Sequence, residues 1–208
     1  MSNRIEITDI TLNELEQVAS TLFDAFKNDS LIQWIFSDQS AYREKGILIF
    51  HTWVKYCVLY GKAFRTQNFE AIALRKIPGD THLTFWRMFR SGMLSTPGIL
   101  GKQAFNRLMQ LDDLTMKERK KNMGSQQYWY CWMLGTKPEY QKKGFGKALM
   151  QHTFNTAEST LLPCYLETAS ESAKQVHIKS GYKILSEITL PESDVQLTSM
   201  IRATERKN

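Results

Sequence analysis

One junction constrains this chain more than any other: Gln141-Lys142-Lys143-Gly144-Phe145-Gly146-Lys147-Ala148. It follows an aromatic-rich run over 128–134, bounded by turn formers, and a turn at Pro138. It opens a run over 144–160 that places Leu149, Met150, Phe154 and Ala157 on one side. The first run predicts a central strand and the second a helix. Two glycines at the turn let backbone N–H groups face one point without a Cβ in the way, and the helix N-terminus adds partial positive charge. That arrangement suits a pyrophosphate, and Lys142, Lys143 and Lys147 add mobile positive charge. Taken alone, the junction fits a plain turn as well. It lacks the Lys-Ser/Thr end of a P-loop and the third glycine of a dinucleotide fingerprint.

The remaining pattern extends the sheet on both sides. Residues 5–8 alternate apolar and polar and predict a first strand. Thr11 and Glu14 form a capping box that opens a helix with Leu12, Leu15, Val18, Leu22 and Phe26, broken at Asn28-Asp29-Ser30. A second helix is predicted over 40–60, with Ile47, Phe50, Val54 and Cys57, stopping at Gly61. Strands are predicted over 62–66 and 71–75, followed by a turn at Pro78-Gly79-Asp80. The stretch 81–122 has helical spacing and predicts two or three helices with a break at Pro97-Gly98. A strand over 163–168, a short helix over 172–180 closed by Gly181, and an antiparallel pair over 182–190 and 195–202 complete the order. No repeat, low-complexity tract or linker interrupts it. The reading is α/β with a mixed α+β sheet, one domain over 1–208, helices on both faces of a central twisted sheet.

Charge and composition limit the partners. The 208 residues carry a net charge of +6 and are 42% hydrophobic, enough for a full core. The densest basic run, Lys117-Glu118-Arg119-Lys120-Lys121, has no interleaved aromatic side chain and reads as a solvated helix end. Nucleic acid is therefore not an expected partner. Cys57, Cys131 and Cys164 are odd in number, far apart and set in apolar or aromatic runs, which predicts buried free thiols. His51, His82 and His152 share no ligand spacing, so no metal is expected. The first six residues lack an apolar signal core, and the near-apolar stretch 46–54 is too short to span a bilayer. A cytoplasmic protein with no membrane partner is expected; its oligomeric state, monomer or homodimer, is open.

The motif Gln141-x-x-Gly144-x-Gly146, five residues after Thr136 and three after Pro138, resembles the acetyl-CoA-binding motif of the GNAT superfamily of N-acetyltransferases. The resemblance continues through Pro163-Cys164-Tyr165-Leu166-Glu167-Thr168, similar to that fold's fifth strand, and through Ser172 to Gly181-Tyr182. Leu166-Glu167-Thr168, Leu190-Pro191-Glu192 and the helix end Ala25-Phe26-Lys27-Asn28-Asp29 are similar to GNATs of the puromycin N-acetyltransferase type.

The resemblance implies a GNAT-type acyl-CoA N-acyltransferase fold and a reaction. Two neighbouring parallel strands splay, and the pantetheine arm of acetyl-CoA enters between them. It pairs with backbone groups of Leu134, Gly135 and Thr136, and the Leu134 N–H polarises the thioester carbonyl. Gln141, Lys142, Lys143, Gly144, Phe145, Gly146 and Lys147 hold the pyrophosphate. Ala173 stands where the family carries a cofactor-side Asn, and His177 where it carries a Tyr that protonates the thiolate. His177 either takes that role or is a bystander on an exposed helix face; if protonated His177 is the acid, turnover falls as pH rises through its pKa. Glu167 is the candidate base, or else an acceptor-binding or surface group. Tyr128, Trp129, Tyr130 and Trp132 fit either an acceptor pocket or the core, and the region 22–34 is expected to face the acceptor. The implied acceptor is a small-molecule amine. A protein N-acetyltransferase and a non-catalytic acyl-CoA sensor are the alternatives.

Overall fold

Residues 5–36, 41–80 and 83–204 are described in a computed structural model of the chain. The expected starts at Ser40 and Thr81, together with His82, lie outside the described residues. Seven strands form one mixed sheet: β1 (Ile7–Asp9), β2 (Lys62–Thr66), β3 (Ala71–Lys76), β4 (Trp129–Thr136), β5 (Cys164–Thr168), β6 (Lys183–Thr189) and β7 (Gln196–Arg202). They lie in the order β1-β2-β3-β4-β5-β7-β6, and only β4 and β5 are parallel neighbours. This is the GNAT fold, with helices on both faces of the sheet.

One face carries α1 (Leu15–Phe26), α2 (Ser30–Ile35) and α3 (Tyr42–Tyr60). Val18, Leu22, Ile49, Phe50 and Val54 pack there against Ile72 and Leu74 of β3, forming the main core. The same face continues into α4 (Phe85–Ser91), α5 (Thr96–Leu100) and the long α6 (Lys102–Met123). The opposite face carries α7 (Phe145–Thr160), whose Leu149, Met150, Phe154 and Ala157 are buried on the sheet as the apolar spacing predicts. The helix α8 (Glu171–Lys179) follows β5.

The differences from expectation are local. The Thr11–Glu14 capping box forms, with Glu14 accepting from the Thr11 N–H at 2.8 Å, but its first turn is 3-10 before α1 begins at Leu15. Asp29 does more than break the helix: its carboxylate accepts the Leu31 N–H at 2.9 Å and starts α2, which the sequence pattern hides. Pro97-Gly98 is not a break. It lies inside α5, because proline costs little in a first turn where its missing N–H would have no partner. The interruptions fall instead at Gly92 (φ +83°) and Gly101 (φ +77°), both left-handed positions that favour glycine.

Candidate active site

The parallel pair at the centre of the sheet comes apart. Only Trp129 with Cys164 and Tyr130 with Tyr165 are in register between β4 and β5. Beyond them β4 runs to Thr136 along β3, and β5 runs to Thr168 along β7. Among the described residues, the facing edges from Cys131 and from Leu166 onward therefore have no strand partner. A bulge in β4 sits at the same place. Met133 lies opposite Leu74 and Cys131 opposite Arg75, so Trp132 is the extra residue. The bulge turns Trp132 and Met133 to the same face, where both pack on the main core. Leu134 and Thr136 are half-buried along this open edge. Gly135 is buried, and a Cβ there would come within 2.9 Å of Ala25 and 2.8 Å of Phe26, so the glycine lets α1 approach β4.

At the end of β4 the glycine junction takes the form its residues dictate. Gly144 has φ +92° and precedes the first turn of α7; Lys142 is also left-handed at φ +61°. The first helical bond across the junction is the Ala148 N–H to the Gly144 carbonyl, and among the described residues no backbone hydrogen bond engages the N–H groups of residues 142–147. These donors crowd one turn at the positive end of a 16-residue helix. A Cβ on Gly146 would stand 3.0 Å from Thr136 Oγ1, so glycine keeps the helix start close to the strand end. Gln141 donates from Nε2 to the Thr136 carbonyl at 3.3 Å and ties the loop to β4. Lys142, Lys143 and Lys147 are exposed around the turn, and Phe145 is half-buried against Tyr140. The open strand edge and the unbonded N–H groups give an extended thioester arm and a pyrophosphate what each requires.

On the other face a cavity of about 140 Å³ lies between the sheet and helices α2 to α6. Of the region 22–34, Leu31 and Ile32 line it, while Leu22 and Phe23 belong to the core. Of the four aromatic residues of β4 and its approach, Tyr130 and Trp132 reach the cavity. Tyr128 packs with Tyr165, and Trp129 faces α7, where its Nε1 donates to Thr160 Oγ1 at 2.9 Å. The floor holds a charged group that the sequence does not announce. Glu167 Oε1 accepts from Arg119 Nη1 at 3.3 Å, with the two side chains 4% and 8% exposed. Arg119 also donates to the Tyr130 hydroxyl at 3.2 Å and covers its ring. Lys76, buried at the end of β3, holds its ammonium 4.3 Å from the Trp132 ring centroid.

These burials set the protonation of the floor. Loss of solvent raises the Glu167 carboxyl above its ordinary value, against the opposing pull of Arg119 and the tyrosine hydroxyls. Its Oε2 makes no well-directed hydrogen bond among the described residues. Burial pushes the Lys76 ammonium down to about 8, with Arg119 acting in the same direction. Arg119 corrects the reading of the basic run: Lys117, Lys120 and Lys121 are exposed, but Arg119 turns inward. The signal was available, since Leu108, Leu111, Thr115 and Arg119 form one stripe of α6, all lining the cavity. Lys76 had a weaker signal, because the strand could end at Arg75 as readily as at Lys76.

His177 lies on the α7 side of the sheet. Its ring meets Tyr182 edge-on at 5.3 Å, and its buried Nδ1 has no hydrogen-bond partner among the described residues. Burial pushes its pKa down to about 4, so the resting imidazole is uncharged at neutral pH. Ala173 occupies the first turn of α8, where its N–H donates to Ser170 Oγ at 3.3 Å. The three cysteines are free; Cys57 and Cys164 are buried and Cys131 is half-buried, near the Tyr182 hydroxyl at 3.7 Å. Among the described residues no cluster of three or more His, Cys, Asp or Glu side chains is placed to hold a metal ion. No helix among them is long and apolar enough to cross a membrane.

Known proteins share this arrangement. Residues 104–182 match the acetyltransferase (GNAT) family, a span that includes β4, the glycine turn, α7, β5 and α8. An uncharacterised N-acetyltransferase of Schizosaccharomyces pombe is 23% identical over 207 residues, 96% of this chain and 83% of its own length. A Corynebacterium glutamicum structure described as histone acetyltransferase HPA2 and related acetyltransferase superposes with a TM-score of 0.72 at 18% identity, covering 99% of both chains. Arylalkylamine N-acetyltransferase 2 of Aedes aegypti superposes with a TM-score of 0.67 at 12% identity, covering 98% of this chain and 100% of its own. The fold is common to the whole length, and the match to the acetyltransferase (GNAT) family falls on the elements that build the gap and the turn.

Proposed function

We propose that this protein binds acetyl-CoA and transfers its acetyl group to the primary amine of a small molecule by direct attack on the thioester. The observation that carries the reading is the parting of β4 from β5 after two residue pairs, beside an α7 N-terminus whose N–H groups have no backbone partner among the described residues. In this reading the turn from Gln141 to Lys147 holds the pyrophosphate, and the edge of Leu134, Gly135 and Thr136 pairs with the pantetheine arm. The bound acetyl-CoA supplies an activated acyl group. The Leu134 N–H would donate a hydrogen bond to the acyl oxygen. Glu167, with one oxygen fixed by Arg119, takes the proton from the attacking amine. We assign the acid role to His177 on its position. Because burial leaves its ring uncharged at rest, it has to take a proton from solvent before it protonates the leaving thiolate, and Glu167 returns the amine's proton to solvent. The similarity to the puromycin N-acetyltransferase type belongs to the same proposal.

The test is direct. Saturating CoA should raise the melting temperature by mass action on the folded state, and acetyl-CoA with a suitable amine should release free thiol. A melting curve that saturating CoA leaves unmoved sinks the reading. The uncharged His177 and the alanine at 173 favour a second reading, a non-catalytic acyl-CoA sensor. A chain that gains melting temperature with CoA but releases no thiol across a broad amine panel would establish it.

A further inference from the structure

The α7 side of the sheet carries a cluster of thiol and phenol groups outside the roles assigned above. Cys131 is the first residue of β4 beyond its pairing with β5, half-buried where the open edge begins. Cys164 stands opposite Trp129, two residues back along β4, so the two cysteines are diagonal neighbours on one face. Both pack in the cluster of Trp129, Phe154 and Tyr182. The Tyr182 hydroxyl lies 3.7 Å from Cys131 Sγ. Arg75 of β3 is the register partner of Cys131 on its other side. Arg75 is 1% exposed, covers the Phe64 ring at 4.3 Å and meets His152 Nδ1 at 2.8 Å. Its Nε and Nη1 have no hydrogen-bond partner among the described residues.

These neighbours favour a thiolate at Cys131. The Cys164 thiol hydrogen-bonds to it, as does the Tyr182 hydroxyl, and the Arg75 guanidinium adds positive charge; together they hold Cys131 below the ordinary cysteine value against the loss of solvent. Cys164 is pushed up and fully buried, so Cys131 is the sulfur that a reagent reaches. One strand spacing and two residues of rise set the two Cα atoms about 8 Å apart. A disulfide spans at most ~7 Å without backbone movement, so Cys131 takes a partner from outside the chain more readily than Cys164. Under the reading above, the pantetheine arm of CoA brings a thiol to this place. Its sulfur end lies by Leu134, and Leu134 and Cys131 pack against the same cluster. Tyr182 stands between Cys131 and His177, the residue assigned to the leaving thiolate.

We propose that Cys131 is a modification site, where hydrogen peroxide couples it to free CoA, the product of acetyl transfer, as a mixed disulfide. This rests on the acetyl-transfer reading above. Peroxide oxidises the Cys131 thiolate to a sulfenic acid and is itself reduced, leaving as hydroxide. The CoA sulfur then bonds to the Cys131 sulfur, the S–O bond breaks, and the oxygen departs with the thiol proton as water. The captured CoA fills the gap until a reducing thiol cleaves the bond.

Intact-mass spectrometry of the full chain with CoA and hydrogen peroxide tests this. The chain should gain one CoA less two hydrogens, peptide mapping should place the addition on Cys131, and dithiothreitol should remove it. Because the gap concentrates a bound thiol, CoA should give about tenfold more adduct than glutathione at the same concentration. Cys131→Ser should carry no adduct while CoA still raises its melting temperature; Cys131→Ala serves if the Ser variant does not fold. Adduct on Cys57 or Cys164 instead, a Cys131–Cys164 disulfide, or equal capture of glutathione overturns the proposal and leaves acetyl transfer standing. So does the lack of any adduct in a parent chain that CoA stabilises. No adduct and no stabilisation by CoA overturns both readings.

Discussion

The two faces of the central strands are built by different means. On the α7 side, residues 134–147 make a site out of main chain: an open strand edge, two glycines and a helix N-terminus, all within one short stretch. On the helix α6 side the site is made of side chains from far-separated segments. Arg119 and Glu167 are 48 residues apart, and Lys76 comes from another strand again. The first kind of site depends on φ and on the absence of Cβ atoms, so few residues are tolerated there. The second depends on burial and charge balance, which can be retuned one side chain at a time. Under the proposed function the first holds the cofactor and stays fixed while the second holds the acceptor and can vary, so that one fold can serve many acceptors.

The largest effect expected from testing this comparison is on the side-chain face. Glu167→Gln keeps the shape and removes the base, and should lower kcat by about 10²- to 10⁴-fold. CoA should stabilise the variant as it does the parent. In the parent, the acid limb of kcat/KM should lie above the ordinary carboxyl range, because burial raises the Glu167 pKa and the base works only when ionised. A limb at an ordinary glutamate value would move the base elsewhere.

On the main-chain face, Gly144→Asp should weaken CoA by about a hundredfold, equivalent to ~2.7 kcal/mol. It places a Cβ at φ +92° and a negative charge at the positive end of α7. Titration calorimetry with CoA measures it, and an unchanged Kd would mean that the turn is structural only.

His177→Phe separates chemistry from packing. As the acid, His177 should cost roughly a hundredfold in kcat when replaced, yet the parent profile should show no imidazolium limb near pH 6.5. Its stability effect has a definite sign. The folded pKa, pushed down to about 4, lies below the unfolded value near ~6.5. The unfolded chain binds the extra proton between them, so the parent loses stability as pH falls through that window, by at most roughly 3 kcal/mol. The Phe variant should lack that part of the loss in acid denaturation curves. Near-normal kcat with the acid sensitivity removed would make His177 a packing residue.

The smallest effect is expected at the basic run that the sequence marks as a solvated helix end. Lys120 and Lys121 are exposed at the end of α6. Replacing both with Ala should leave turnover unchanged and shift stability by within ~0.5 kcal/mol per site. A large fall in activity would bring the outer face of α6 into the site.

Much of the fold was readable in advance. Strand and helix periods placed β2 to β7, α1, α3, α7 and α8 within a few residues, since each buries one face and repeats its spacing along the chain. The short α2 was hidden because six residues span less than two turns and show no period. The segment 81–122 was blurred because Pro97-Gly98 looked like a stop, while Gly92 and Gly101 supply the left-handed turns.

The division has a physical cause. By itself the sequence determined the glycine turn, the helix it opens and the strand that feeds it, because those depend on neighbours a few residues apart. Only the tertiary structure decided how far β4 and β5 stay paired, which face Trp132 and Met133 share after the bulge, and that Arg119 turns inward to Glu167. Burial also lowered the pKa of His177 and of Lys76, whose identities were plain in the sequence but whose solvation was not. Desolvation is a property of everything packed around a group, and most of what surrounds these four side chains arrives from distant parts of the chain.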